Sequence, residues 1–182
     1  MKWIRKSALE PLAVSMSGLK LGDRLLVIGC SDPMLIAGLA SKVGLTGRAC
    51  AVDENQARAT EAGRVAESEG ALIETAAAPD WQLPYDEGAF DVVVVRAMLS
   101  GTTTDSRSSA LREARRVLRP GGRCVAIEGA TRRGLSSLMG GQTAMPNADE
   151  ATGALVSAGF VAVRTLAARD GLLFVEGVRK NL

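Results

Sequence analysis

Two acidic residues stand where apolar runs give way to polar ones: Asp53 in "ACAVDENQ" and Asp80 in "PDWQLPY". A carboxylate that closes a buried strand can accept hydrogen bonds from both hydroxyls of a ribose. The competing reading is local, with Asp53 or Asn55 capping the helix that follows. Asp80 can accept from an exocyclic amine while Trp81 stacks on a flat ring; the plain alternative is a turn with one partly exposed aromatic. A third stretch, "RLLVIGCSDPML", runs from a buried strand into a helix. After Gly29 it offers Cys30-Ser31-Asp32-Pro33 where a ligand-binding loop would be rich in glycine. Asp32-Pro33 is a good helix start, with the acid as N-cap and proline at the first helical position.

Histidine is absent from the 182 residues, which removes His-based triads, His metal sites and the commonest neutral-pH base. Chemistry must rely on carboxylates, Tyr85, thiols or positioning. Cys30, Cys50 and Cys124 lie in or beside predicted strands without the spacing of a metal site or a disulfide framework, and read as small packed hydrophobes.

The elements that must position these residues alternate. Residues 8–19 read as a lead-in helix, Leu25–Gly29 as a central strand, Pro33–Val43 as a helix ended by Gly44 and Gly47, and Arg48–Asp53 as a second strand. Gln56–Glu69 reads as a helix, Ala71–Thr75 as a short third strand, and Phe90–Arg96 as a strongly buried fourth. Asp105–Leu118 is a helix stopped by "RPGG", followed by a fifth strand at Arg123–Glu128 and a last helix at Asn147–Ala158. Strands alternating with helices predict an α/β, doubly wound, mostly parallel sheet. The tail "GFVAVRTLAARDGLLFVEGVRK" breaks the alternation and predicts a terminal antiparallel hairpin, with Ala167–Asp170 and Gly171 between its strands. Ligands bind outside the carboxyl ends of such strands, in the loops after Gly29, Asp53, Thr75 and Arg96.

The length favours one domain over residues 1–182, with an N-terminal helical segment over 1–20 and an irregular lid or long connection over 129–147. At 47% hydrophobic and 3% aromatic, the chain is folded around an aliphatic core of Ala, Val and Leu. A net charge of +2 does not call for a nucleic-acid partner. No apolar run reaches membrane-spanning length and the basic N-terminus lacks the features of a signal peptide, so the protein is expected in the cytoplasm. Arg107, Arg112, Arg115, Arg116 and Arg119 cluster around one helix, with Arg123, Arg132 and Arg133 nearby in sequence. They read as a solvated face, or else as a dock for an acidic partner or RNA. The scarcity of aromatics leaves base stacking poorly supplied. Oligomeric state is left open.

The pieces "LKLGDRLLVIGC", "ACAVDENQARATEAGRVA", "LPYDEGAFDVVVVRAML", "ALREARRVLRPGGRCVAIEG" and "LVSAGFVAV" resemble the class I S-adenosylmethionine-dependent methyltransferases. The likeness is to the small-molecule type related to quinone-biosynthesis C-methyltransferases, and it runs from about Pro11 to Arg179. "RVLRPGG" before a strand is the most specific piece. The resemblance implies a seven-stranded Rossmann-like sheet with the last strand antiparallel, and S-adenosylmethionine as cofactor. It places Asp53 on the cofactor ribose and Glu54 beside the adenine. Pro79 stands where the family usually has an acid, with Asp80 one residue later. Arg96 and Ala97 fall at the strand end that borders the methionine part and the substrate.

The family's first motif reads acid-x-Gly-x-Gly-x-Gly; here only Gly29 survives, with Val27 for the acid, Ser31 and Pro33 for the later glycines. Ser31 makes positive φ costly where a backbone would approach a ligand. Asp32 places a negative charge at a helix N-terminus, disfavouring the cofactor's carboxylate there and favouring its sulfonium and ammonium. Two readings follow. In one, the loop binds S-adenosylmethionine with Asp32 replacing the lost acid, and the protein methylates a small, apolar acceptor. In the other, the fold persists as a non-catalytic binding or scaffold module with weak or lost cofactor binding. A nicotinamide dinucleotide site fails at both later glycines. In-line methyl transfer gains mainly from alignment and needs no metal. Candidate bases are Asp32, Asp80 and Tyr85. The family's acceptor pocket maps onto Trp3, Met98, Leu99, Met139 and Met145.

Overall fold

The computed structural model describes residues 9–97, 103–129 and 145–181. In chain order these form α1 (Leu9–Met16), β1 (Arg24–Ile28), α2 (Pro33–Val43), β2 (Arg48–Asp53), α3 (Gln56–Ser68), β3 (Glu74–Ala77) and β4 (Phe90–Arg96). They continue as α4 (Thr104–Val117), β5 (Leu118–Gly129), α5 (Ala148–Ser157), β6 (Val161–Arg169) and β7 (Leu172–Val178). The strands make one seven-stranded sheet in the order β3-β2-β1-β4-β5-β7-β6. Neighbours from β3 to β5 are parallel, and β7 is antiparallel to both β5 and β6. The predicted α/β fold with its antiparallel hairpin is what forms. No helix among the described residues is long and apolar enough to cross a membrane. Most of the expected lid, 130–144, and four expected acceptor residues, Trp3, Met98, Leu99 and Met139, lie outside the described residues, as do Arg132 and Arg133.

Side-chain alternation builds two apolar layers. Leu25, Val27, Ala49, Ala51, Val92 and Val94 face one way and pack with Leu35, Ile36, Leu39 and Ala62 of α2 and α3. Leu26, Ile28, Cys50, Val52, Val93 and Val95 face the other and pack with Ala110, Leu111, Ala114 and Leu155 of α4 and α5. Burial on both faces is why these strands read as continuous apolar runs.

The largest shifts from the predicted boundaries are at the third and fifth strands and at the hairpin turn; the fifth strand begins at Leu118, so that "RPGG" lies within it, and not at Arg123. The third strand is Glu74–Ala77, not Ala71–Thr75. The apolar "ALI" of 71–73 is spent on the helix exit: the Ala71 N–H closes onto the Ala66 carbonyl at 2.9 Å, and Leu72 is exposed. Edge pairing is carried instead by polar residues, with Glu74 receiving two hydrogen bonds from Arg48 on β2. The hairpin turn is also tighter than expected. β6 runs through Ala167 to Arg169, leaving Asp170-Gly171 with φ of +55° and +77°, the paired positive values of a two-residue hairpin turn.

At the amino end of the sheet one carboxylate ties three strands. Asp91 on β4 accepts from the Arg24 N–H (2.8 Å) and guanidinium (3.1 Å) on β1, and from Arg119 Nε (2.5 Å) on β5. Burial alone would raise its pKa, but the hydrogen bonds from Arg24 and Arg119 overcome this and hold the carboxyl at about 2. A carboxyl depressed from its ordinary value of 3.8 to about 2 contributes stability that is complete above pH 4 and lost as pH falls through 2. The magnitude is about 2 kcal/mol. Asp91→Asn therefore lowers unfolding free energy at neutral pH by about 2 kcal/mol and flattens its decline between pH 4 and 2. Denaturant titrations across that range check it, and equal slopes for variant and wild type would contradict it.

Candidate functional site

At the carboxyl end of β1 the chain turns at Gly29, whose φ is +95°. Its N–H bonds the Val52 carbonyl on β2 at 2.9 Å. The next N–H, of Cys30, donates to Asp53 Oδ2 at 2.7 Å, so the loop after β1 is fastened to the end of β2. Asp53 also accepts from the Asn55 N–H (2.8 Å) and from Arg58 Nη2 (2.8 Å) and Nε (3.0 Å). Its side chain is 5% exposed. Burial pushes the carboxyl up, yet the bonds from Arg58, Cys30 and Asn55 more than offset this and hold it below its ordinary value. The helix cap is Asn55, whose side chain accepts from the Ala57 and Arg58 N–H groups.

Asp32 caps α2 by accepting from the Leu35 N–H at 3.3 Å, with Pro33 at the first helical position. Its other oxygen takes Arg96 Nη2 at 2.9 Å, bridging the loop after β1 to the end of β4. Ala97, immediately after β4, has a φ of +51° and donates its N–H to the Ile127 carbonyl at 3.1 Å. A left-handed alanine is strained, and here β5 holds it.

These strand ends enclose a cleft of about 350 Å³, within the range of small-molecule sites. Of the residues picked out in the sequence, Gly29, Asp53, Glu54, Asp80, Trp81, Arg96 and Ala97 line it. Cys30, Ser31, Asp32 and Pro79 do not. Cys30 is buried, Ser31 is exposed, Asp32 is spent on the cap and Arg96, and the Pro79 carbonyl closes a turn with the Gln82 N–H at 3.1 Å. Three polar lining residues were not anticipated: Arg58, Thr103 and Ser106. The last two form a cap, with Thr103 Oγ1 accepting from the Ser106 N–H at 3.3 Å, and "TTTDS" carries that signal. Nothing in the sequence marks Arg58, because its role depends on the turn that brings it back over Asp53.

Three acids line the cleft, and burial together with the neighbouring Glu54 raises the Asp80 carboxyl. Trp81 is 54% exposed, leaving a ring face for stacking. Tyr85 is elsewhere, edge-on to Phe90 with ring centroids 5.0 Å apart, and burial pushes its hydroxyl far up. Burial likewise raises Cys30 and Cys124 to about 12 and Cys50 to about 11, so the thiols are inert packing groups. No cluster of three acids or thiols suited to a metal occurs among the described residues. The expected solvated arginine face is largely committed to holding the structure. Arg107 pairs with Glu150, Arg116 with Glu113, Arg119 with Asp91 and Arg123 with Glu176, while Arg115 donates to the Gly159 carbonyl.

The profile of a family described as a methyltransferase domain matches residues 26–126. The ubiquinone/menaquinone biosynthesis C-methyltransferase UbiE of Chromobacterium violaceum is 32% identical over 115 residues, covering 63% of this chain and 46% of the relative. The chloroplastic 2-phytyl-1,4-beta-naphthoquinone methyltransferase of Arabidopsis thaliana is 33% identical over 121 residues, covering 64% and 46%. The chain thus spans about half the length of the curated relatives it matches. A SAM-dependent methyltransferase from Aquifex aeolicus superposes with a TM-score of 0.74 at 18% identity, covering 95% of this chain and 93% of that one. The [4+2]-cyclase SpnF superposes at 0.73 and 18%, covering 96% and 81%. At that identity the likeness is one of fold, shared with more than one chemistry.

The seating of Gly29 gives a direct test of the cleft's construction. A Cβ there would lie 3.3 Å from the Arg96 carbonyl oxygen, on a backbone of positive φ. Gly29→Ala is expected to cost about 1–3 kcal/mol in unfolding free energy. An unchanged denaturation midpoint would mean the loop and the β4 end are not packed this tightly.

Proposed function

The chain belongs to the S-adenosylmethionine-dependent methyltransferase family, and from that premise we propose that the cleft binds S-adenosylmethionine and that the protein transfers its methyl group to a small acceptor. The observation that carries this reading is the acidic end of the cleft, where Asp53, Glu54, Asp80 and the exposed ring of Trp81 lie together. Such a set suits a purine nucleoside, with carboxylates for hydroxyls and amine and a ring to stack on the base. The residues therefore fit the group the family implies. When bound, S-adenosylmethionine supplies an electrophilic methyl on a positively charged sulfur.

The chain's own contribution is alignment and charge. Asp53 receives the ribose hydroxyls, and its depressed pKa keeps it an acceptor at neutral pH. That role requires Arg58 to release one of the oxygens it now holds. Of the three bases considered, Asp80 alone lines the cleft, and its raised pKa brings it nearer the range useful for accepting a proton. Asp32 is bound to Arg96 and the α2 cap, and Tyr85 lies in the core layer. The quinone-pathway names of the relatives and the small cleft support a small acceptor, and the quinone names favour an apolar one. The arginines of α4 offer little to a nucleic acid, since their guanidiniums are taken by internal partners. The occupation of Asp53 by Arg58 is the observation that favours the second reading, a fold kept after cofactor binding weakened.

Calorimetric titration with S-adenosylhomocysteine, with NAD as control, separates the two. Micromolar binding to wild type is expected. Asp53→Ala weakens it about tenfold or more, the worth of a hydrogen bond to a charged group. Arg58→Gln tightens it, because a competitor for the carboxylate is removed. Absence of binding at millimolar concentration would leave the non-catalytic reading.

A further inference from the structure

We infer that Arg96 is the residue that takes the carboxylate of the ligand's amino-acid end, so that the cleft recognises an adenosyl amino acid by its carboxylate. The inference rests on the cofactor reading above and adds the residue and the ligand group it selects.

The cleft is electrically lopsided. Asp53, Glu54 and Asp80 belong to the ends of β2 and β3 and the loops beyond them. Arg96 ends β4, and the order β2-β1-β4 places β1 between them. Two strand spacings separate the poles by about 10 Å. A ligand carboxylate is repelled from the acidic pole. Arg58 lines that pole but is taken up by Asp53, to which its Nε and Nη2 both donate. Arg96 is in a different condition. A guanidinium carries five N–H donors; among the described residues Arg96 gives one of them, from Nη2 to Asp32 Oδ2 at 2.9 Å. Its buried Nε finds no acceptor among the described residues. The side chain lines the cleft yet is only 16% exposed, so its charge acts in a partly desolvated setting. A carboxylate entering there meets the Nη1–Nη2 end of the planar fork, where three of the four N–H groups are unused by the described residues, and a charge-assisted pair of this kind is strong.

The surroundings hold that fork in place. The missing side chain at Gly29 lets the Arg96 backbone and Cβ sit against the loop after β1, at 3.3 and 3.5 Å from where a Cβ would be. Asp32 is kept by the α2 cap and orients the guanidinium without consuming it. It also changes what Asp32 means for the ligand. Alone, that carboxylate would repel an anion at the start of α2; paired with Arg96, it leaves the junction close to neutral, with the spare donors on the cationic partner.

The test compares S-adenosylmethionine with decarboxylated S-adenosylmethionine by calorimetry. The two keep the same nucleoside, sulfonium and amine and differ in the carboxylate. Wild type is expected to prefer the intact molecule by about tenfold or more. Arg96→Gln brings the two within about twofold, chiefly by weakening the intact one. Arg96→Lys, which keeps the charge and loses the fork, retains an intermediate preference and serves if the glutamine variant fails to fold. Equal wild-type affinities, or a preference that survives in Arg96→Gln, would overturn the assignment. So would an equal weakening of both ligands, which marks a structural role. If wild type binds neither, the cofactor reading itself falls, and this assignment with it.

Discussion

The carboxylate of Asp53 is the point on which the site depends. It stands at the end of a strand buried on both faces, and it fastens the loop after β1, through the Cys30 N–H, to the start of α3, through the Asn55 N–H and the Arg58 guanidinium. Burying a carboxylate is costly unless its lone pairs are filled. Here the fillers are backbone groups that would otherwise be unpaired at a strand end and a helix start. The same need for donors makes Asp53 suited to a diol. A ribose must compete with these structural partners, and Arg58 is the partner most easily exchanged, being 48% exposed.

That fastening explains how the loop keeps its course without the usual glycines. Gly29 supplies the single left-handed turn the geometry demands. From there the chain is held by the bond to Asp53 and by Asp32 and Pro33, which start α2 at once. The loop therefore does not rely on conformational freedom at positions 31 and 33. The opposite end of the sheet is secured by the same device. Asp91 gathers Arg24 and Arg119 across β1, β4 and β5. A carboxylate near each end of the central strands, filled by arginine and backbone donors, ties neighbouring strand ends together around the aliphatic layers.

Much of this was legible in the sequence, for identifiable reasons. α2 and β2 and β4 fall within their expected bounds because each has unambiguous punctuation: Asp32-Pro33 and Gly44 around α2, and long apolar runs for the strands. β3 was misplaced because an edge strand is chosen by its neighbour's pairing and not by its own hydrophobicity; Glu74 belongs to it through Arg48, while Leu72 looks like a strand residue and is exposed. At the site, Asp53, Glu54, Asp80, Trp81 and Arg96 could be picked out because they sit at strand ends. Their occupations could not. That Asp32 answers Arg96 across 64 residues is a consequence of the crossovers of the sheet, which no local pattern encodes, while the fold-back of Arg58 onto Asp53, five residues away, depends on the turn into α3.

In this reading the adenosyl group lies in the crevice organised by Asp53. The most direct measurement is an amide-resolved NMR titration with S-adenosylhomocysteine, following Cys30, Asp53, Asn55 and Arg58. Saturable shifts centred on those amides are expected, with the Arg58 side-chain Nε signal moving as its bond to Asp53 is exchanged. Shifts confined to the far face of the sheet, or none at these four residues while ligand binds, would contradict this reading.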